Sequence, residues 1–489
     1  MSFIRARDIL PFIAGFTFLD SAGGGLRLPS MHPFPKEAFL HKPGLALSLV
    51  TLVLPLAPAS AHGAEAEAQR YWPQWRGPAM TGVAPHARPP VEWSETKNVR
   101  WKVAIPGKGS ATPVVWGDRI YVLTAVPGEK RAAAIAPAPA AEPAAGGGRP
   151  RLSTPPDASQ KFTVLALRRS DGKVLWERVV REEMPHEGTH PTGTWASSSA
   201  ATDGEIVFAH FGSRGLYALD TSGKVLWEED LGDMTVKLAF GEGSSPALGR
   251  DRLFVQWDHE GESFIVALDR KTGRELWRQK RDEKTSWATP LLVEHAGRTQ
   301  VVTSATNRVR SYDAASGDLL WETAGMTQNT IPTPVHSDGL VILTSGFRGN
   351  ALLAVRLADA KGDISASPAV AWRLDRDTPY VPSPLLYGEE LYFLKGNNGL
   401  LSCFNARTGE RHYGPERIEG VPNVYASPVG ADGRIYVAGR EGKTAVVARG
   451  PVFKLLATNT LDDAFDASPV AVDSELYLRG AKYLYRISE

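Results

Sequence analysis

Ser245-Pro246-Ala247-Leu248 opens a set of apolar β-runs that Lys271-Thr272-Gly273-Arg274-Glu275-Leu276-Trp277 closes, and 44 residues after Ser245 the chain starts again with Thr289-Pro290. Outward from this unit, the same small step into a β-run stands at Thr112-Pro113, Ser199-Ala200, Thr333-Pro334, Ser383-Pro384, Ser427-Pro428 and Ser468-Pro469. Successive intervals are 87, 46, 44, 44, 50, 44 and 41 residues. A period in the forties built from strands marks a propeller blade, a four-stranded antiparallel unit that cannot bury both faces alone. Eight copies predict an all-β, eight-bladed β-propeller.

The closing signal keeps the same beat. Ser170-Asp171-Gly172 leads to Trp176, Thr221-Ser222-Gly223 to Trp227, and Ala315-Ser316-Gly317 to Trp321. Two copies are weaker: Trp372 lacks the Gly turn, and Tyr413 follows Thr408-Gly409 where Trp is expected. Glycine accepts the positive φ such hairpin turns demand. Trp recurring at one position of the repeat belongs on the outer strand, packed between neighbouring blades. After Ser468-Pro469 only two more strands are legible, Glu475 to Leu478 and Tyr483 to Ile487. Asn98 to Ile105, with Trp101, is predicted to complete that last blade, closing the ring and removing an exposed sheet edge.

The rest of the plan follows from composition. Lys plus Arg is 55 against 54 for Asp plus Glu in 489 residues, which argues against a nucleic-acid or membrane-surface partner. Lys36 and Lys42 precede an apolar run from Leu45 to Leu56 and Ala59-Ser60-Ala61, the pattern of a secretory signal too short to span a bilayer comfortably. Met31 stands where such a signal would start, so residues 1–61 read as an upstream extension and signal peptide, and the location expected is periplasmic or secreted. Residues 62–97 are then an N-terminal strap and 98–489 the propeller. Residues 128–160, rich in Ala, Pro and Gly, read as a disordered insertion that explains the long first interval. The single cysteine, Cys403, sits in an apolar run and reads as a core residue. The chain is expected to be a monomer without a membrane span.

The Gly-x-x-x-Trp strand ends, the Ser-Pro starts and Trp72-Pro73-Gln74-Trp75-Arg76-Gly77-Pro78 together resemble the bacterial PQQ-like β-propeller repeat proteins, a superfamily that includes the quinoprotein alcohol dehydrogenases and BamB. The resemblance covers residues 71 to 489. It implies the fold; one scaffold of this kind hosts enzymes, binding platforms and assembly factors. Its dehydrogenase branch implies a vicinal Cys-Cys disulfide over the quinone and Ca²⁺ held by an acidic residue and Asn beside a catalytic Asp. A lone Cys403 rules out the disulfide, and no calcium motif can be placed. The assembly branch implies a lipid-bearing Cys, and none follows the apolar run.

Propeller function sits on loops around a channel mouth, because the strands are committed to packing. Arg214, Arg308 (after Asn307), Arg348, Lys395, Arg440 and Arg479 recur at one place in six blades, with His259 and Glu260 as the counterpart in their own blade. Converging cations would focus a positive potential on an anion; alternatively each pairs with a carboxylate such as Glu242, Glu283, Asp375, Asp377 or Asp466. Trp195, Trp287, Tyr380 and Tyr425 precede inner strands and either stack on a ligand or plug the mouth. His186-Glu187-Gly188-Thr189-His190 matches a zinc-peptidase spacing, yet Pro185, Pro191 and Gly188 make it a loop rather than the required helix. A metal on that loop would draw on Asp258-His259-Glu260; otherwise the stretch is a polar rim. The expected function is an exported binding or scaffold protein with a basic, aromatic-lined mouth for a protein partner or anionic ligand, and no cofactor. The alternative is a PQQ and Ca²⁺ dependent oxidoreductase with a carboxylate beside Asn397 or Asn398.

Overall fold

The computed structural model describes residues 66–131 and 153–489. Eight antiparallel sheets follow one another along the chain: blade 1 (residues 114–183), blade 2 (201–229), blade 3 (247–281), blade 4 (291–324), blade 5 (335–374), blade 6 (385–417), blade 7 (429–460) and blade 8 (470–487). Blade 8 supplies three strands of its own, and Val99–Ala104 pairs antiparallel with Tyr483–Ile487 as the fourth, placing Lys102 opposite Tyr485. The predicted closure is therefore present. Ser488 N donates to Asn98 O at 2.9 Å just beyond the pair.

Burial explains why the repeat reads as it does. Middle strands are covered by a blade on each face, so Leu216–Asp220 and Lys443–Ala448 are almost continuously apolar and buried. Outer strands meet solvent on one side and alternate, as Val225–Glu229 does. The cores accordingly lie between blades: one cluster unites Val115 and Leu165 of blade 1, Leu476 and Tyr485 of blade 8, Tyr436 of blade 7, and Trp72 and Trp93 of the strap.

Each repeat Trp docks on the next blade's turn. Trp176 Nε1 donates to Thr221 O at 2.9 Å, Trp227 Nε1 to Arg270 O at 3.0 Å, Trp277 Nε1 to Ala314 O at 3.0 Å and Trp101 Nε1 to Arg169 O at 3.2 Å. Gly273, at φ +76°, lies so close that a Cβ there would stand 2.9 Å from Trp227. The Gly is thus fixed twice, by its left-handed backbone and by the indole face. Trp321 breaks the series because blade 5 has no Gly turn to receive it. It bonds Gln300 of its own blade at 3.1 Å, and Gly362–Asp363 instead adds a short parallel strand to blade 4.

Residues 128–131 and 158–160 depart from the expected loop. They extend the hairpin Arg119–Arg131 and Ala158–Arg168, with Pro127 opposite Gln160 and Arg131 opposite Ala158. Extended pairing persists there because the flanking residues still find ladder partners. The core of that insertion, 132–152, and the signal-like stretch with Met1 and Met31 lie outside the described residues. Cys403 is buried in Leu400–Asn405 as expected. No helix among the described residues is long and apolar enough to cross a membrane.

Candidate functional site

The eight Ser/Thr positions that define the repeat meet around the axis. Thr112 N donates to Ser199 Oγ, Ser199 N to Ser245 Oγ and Ser245 N to Thr289 Oγ1 at 2.9, 2.9 and 3.0 Å. Thr333 N, Ser383 N and Ser427 N donate to Ser383, Ser427 and Ser468 Oγ, each at 2.9 Å, and Ser468 N closes on Thr112 Oγ1 at 3.2 Å. At the remaining hydroxyl, Thr333 Oγ1 accepts the Trp75 indole N–H at 2.8 Å.

Trp75 belongs to the strap, which crosses the other end of the inner strands. Trp72 exchanges two backbone bonds with Val115, Thr202 N donates to Pro73 O, Leu248 N to Gln74 Oε1, and Leu386 N to Thr81 O. Arg76 is buried at the centre of this seal. Its guanidinium donates to Pro428 O at 2.8 Å and Pro384 O at 2.7 Å, and burial pulls its pKa down to about 9. Nothing local in the sequence marks this residue as buried; its two shortest hydrogen bonds reach residues more than 300 positions away.

Above the hydroxyls lies a cavity of about 460 Å³. Trp75 and the hydroxyls of Ser245, Thr289, Thr333, Ser383, Ser427 and Ser468 line it, together with Trp287, Phe240, Phe347, Tyr380, Tyr425, His190, Glu242 and Asp466. Tyr380 and Phe347 stack with ring centroids 4.9 Å apart. Trp287 Nε1 is spent on Gly241 O at 2.7 Å, which fixes the indole at the wall. Glu242 accepts from Ser213 N and Oγ at 2.6 and 2.5 Å, and burial raises its pKa. Burial, with Arg440 nearby, lowers that of His190.

The predicted aromatics divide: Trp287 and Tyr380 line the cavity, whereas Trp195 bonds Glu187 O at 3.2 Å outside it. The predicted cations are mostly paired. Arg214 is buried and holds Glu183 at 2.5 Å and Asp233 at 2.9 Å; Arg308 meets Asp363 at 3.1 Å; Lys395 meets Asp377 at 2.9 Å. Arg440 grips Asp466 through two nitrogens at 2.6 and 3.2 Å and lies over the Tyr425 ring. Arg348 has left-handed backbone at φ +52° and lies 5.4 Å from the Phe347 ring. Arg479 is buried, donates to Ala111 O at 2.9 Å, and burial lowers its pKa to about 9.

The other candidates are structural in their contacts. His259 Nδ1 accepts from Thr235 N at 3.0 Å while Nε2 bonds Glu262 O at 3.1 Å. Glu260 accepts from the Thr285 hydroxyl at 2.8 Å. Asn307 N and Arg308 N cap the Glu283 carboxylate at 2.8 and 2.9 Å, and Asn397 Oδ1 accepts from Val381 N at 2.9 Å. The His186 to His190 segment is a loop with divided loyalties: His186 Nε2 bonds Met234 O at 2.7 Å, and His190 Nδ1 the Thr192 hydroxyl at 2.7 Å. Among the described residues no three His, Cys, Asp or Glu side chains gather as metal ligands would.

One polar cluster escaped the sequence reading. Between blades 3 and 4, Asp258 takes Arg281 through both oxygens at 2.7 and 3.0 Å, with both side chains fully buried. Thr303 and Tyr312 complete the guanidinium's shell, and Gln256 and Ser286 that of the carboxylate.

Eight four-stranded blades, Trp docking and a closing N-terminal strand define a PQQ-like β-propeller. More narrowly, the family described as outer membrane protein assembly factor BamB matches residues 90–255 and 261–487, and the chain belongs to that family. Among solved structures, BamB from Moraxella catarrhalis is similar with a TM-score of 0.50 and 13% identity over 80% of this chain and 97% of that one. The quinohemoprotein alcohol dehydrogenase ADHIIG from Pseudomonas putida HK5 gives a TM-score of 0.53 and 10% identity over 88% of this chain and 82% of its own. At these identities the likeness is one of fold. No curated protein matches the sequence.

Proposed function

We propose that this chain is a binding or scaffold propeller of the bacterial envelope, exported by the signal-like residues 31–61, whose axial cavity and aromatic mouth receive its partner. The observation that carries this reading is the cavity itself: a recess of about 460 Å³ with Trp287, Tyr380, Phe347 and Tyr425 around hydroxyls, within the size range of small-ligand pockets. Membership of a family described as an assembly factor supports a protein partner at the same mouth. The pairing of Arg214, Arg308, Lys395 and Arg440 with carboxylates favours such a partner over a free anion, since each charge is already answered. The test is partner recovery from envelope extracts with wild type against Trp287→Ala with Tyr380→Ala. Loss of the same partner by a variant that still folds and melts cooperatively is expected; equal recovery would place binding elsewhere.

The quinone alternative fits these residues poorly. PQQ carries carboxylates, yet no Lys or Arg lines the cavity. Ca²⁺ takes six to eight oxygens, and the oxygen-rich groups here are dispersed or spent on backbone amides. Titration with PQQ and Ca²⁺ is expected to give no saturable tryptophan quenching and no dye reduction with alcohols or sugars. Saturable binding with turnover would make the chain an oxidoreductase.

A further inference from the structure

The hydroxyl ring has spent only about a third of its capacity. Each of the eight oxygens accepts one N–H, seven from a neighbouring blade's backbone and one from Trp75. None donates its own proton to a protein group within hydrogen-bond reach among the described residues. A Ser or Thr hydroxyl is one donor and two acceptor sites, so the six that line the cavity present six unused O–H donors, each residue at least nine-tenths buried. Buried donors left without partners are costly. Water serves such donors in the free protein, and a ligand that displaces it keeps them satisfied only by bringing acceptor oxygens to that end.

Three ligand chemistries compete for such a floor. An oxyanion would accept the hydroxyl protons, but no Lys or Arg lines the cavity to meet it, and Glu242 on the same wall would oppose it. A purely apolar ligand would leave the donors dry. A neutral polyol supplies oxygens to the ring, its own hydroxyl protons to Glu242 and Asp466, and a C–H face to the aromatic wall. Trp287, with its N–H already tied to Gly241, and the stacked Tyr380–Phe347 pair are held in place for such a face.

We propose that the axial cavity is a saccharide site, taking a neutral sugar unit that accepts from the Ser/Thr ring, donates to Glu242 and Asp466, and stacks on Trp287 or Tyr380. This rests on the cavity being the recognition site. The orientation follows from the floor: the oxygen-rich edge goes down to the ring, and the remainder of a longer glycan leaves through the mouth, because Trp75 and Arg76 seal the far end.

The experiment is a calorimetric and fluorescence titration of the whole mature chain with glucose, N-acetylglucosamine, maltose and cellobiose, alongside phosphate and citrate. At least one sugar is expected to bind saturably, with phosphate and citrate failing to displace it. Trp287→Ala should weaken it at least tenfold while the protein still melts as one cooperative unit, and Ser383→Ala with Ser427→Ala should weaken it by a similar factor. Because the double hydroxyl variant removes bonds that join blades, its melting curve is read in parallel and Trp287→Ala stands as the independent variant. Binding of phosphate or citrate that Trp287→Ala abolishes, with no response to any sugar, would overturn the saccharide assignment and keep the cavity as a recognition site. No Trp287-dependent binding of any probe, together with equal partner recovery by the Trp287→Ala, Tyr380→Ala protein, would overturn both.

Discussion

At the scale of single residues, the most consequential side chains are charged ones that the ring has swallowed. Asp258 and Arg281 satisfy each other inside a shell of hydroxyls and an amide. A buried pair of this kind contributes little net stability while intact, but removing one partner strands the other. Arg281→Met is therefore expected to cost about 3–5 kcal/mol, read as a shift of the urea midpoint, and Asp258→Ala a similar amount; the double variant should recover part of the loss. His210 offers a pH readout. Its ring is buried, Nδ1 bonds Ser244 O at 3.2 Å, Nε2 has no partner, and burial lowers its pKa to about 4. The unfolded chain takes up that proton first, near pH 6.5. Stability owed to the neutral ring is thus whole above pH 6.5 and is lost as pH falls from there toward 4, by roughly 3 kcal/mol when complete. Unfolding curves at pH 7.5, 5.5 and 4.5 should show a steeper loss in wild type than in His210→Asn.

At the scale of elements, the turn and the tryptophan it carries form one joint. Gly273 and Gly297 have nearly the same backbone, φ +76° and +74°, but a Cβ at Gly297 meets nothing within 4 Å while one at Gly273 meets Trp227. Gly297→Ala should cost only the left-handed penalty, about 1–2 kcal/mol; Gly273→Ala should cost clearly more and shift the Trp227 emission. The strands, their hydroxyl starts and the Trp joints were legible in the sequence because each repeats and each is local. The ion pairs were legible only in part: Asp377 and Asp466 stood among the candidate carboxylates and take Lys395 and Arg440. Arg308 finds Asp363, 55 residues on, in a two-residue strand that exists because blade 5 lacks a Gly turn. Trp287 and Tyr380 were identified as rim residues from their place before an inner strand, whereas the buried fate of Arg76 depends on Pro384 and Pro428 far along the chain.

At the scale of the whole molecule, the ring is closed twice. Val99–Ala104 completes blade 8, and the strap is hydrogen-bonded to blades 1, 2, 3, 6, 7 and 8. A chain beginning at residue 105 would lose both and present Tyr483–Ile487 as an open edge. It is expected to lose a single cooperative melt and to aggregate at concentrations where residues 62–489 remain monodisperse by light scattering. The seam has a further meaning in the language of inheritance. Because it lies inside a blade, the unit that a gene duplication copies is offset from the unit that closes the circle. A whole repeat gained between residues 185 and 462 would leave the closing strand untouched and still ask the circle to admit a ninth wedge. Resistance would come from the hydroxyl circuit, whose last link joins Ser468 to Thr112 across 356 residues. The lineage can spell its repeats loosely, as Tyr413 in place of a Trp shows, yet the number of repeats is held by a handshake that every blade must reach.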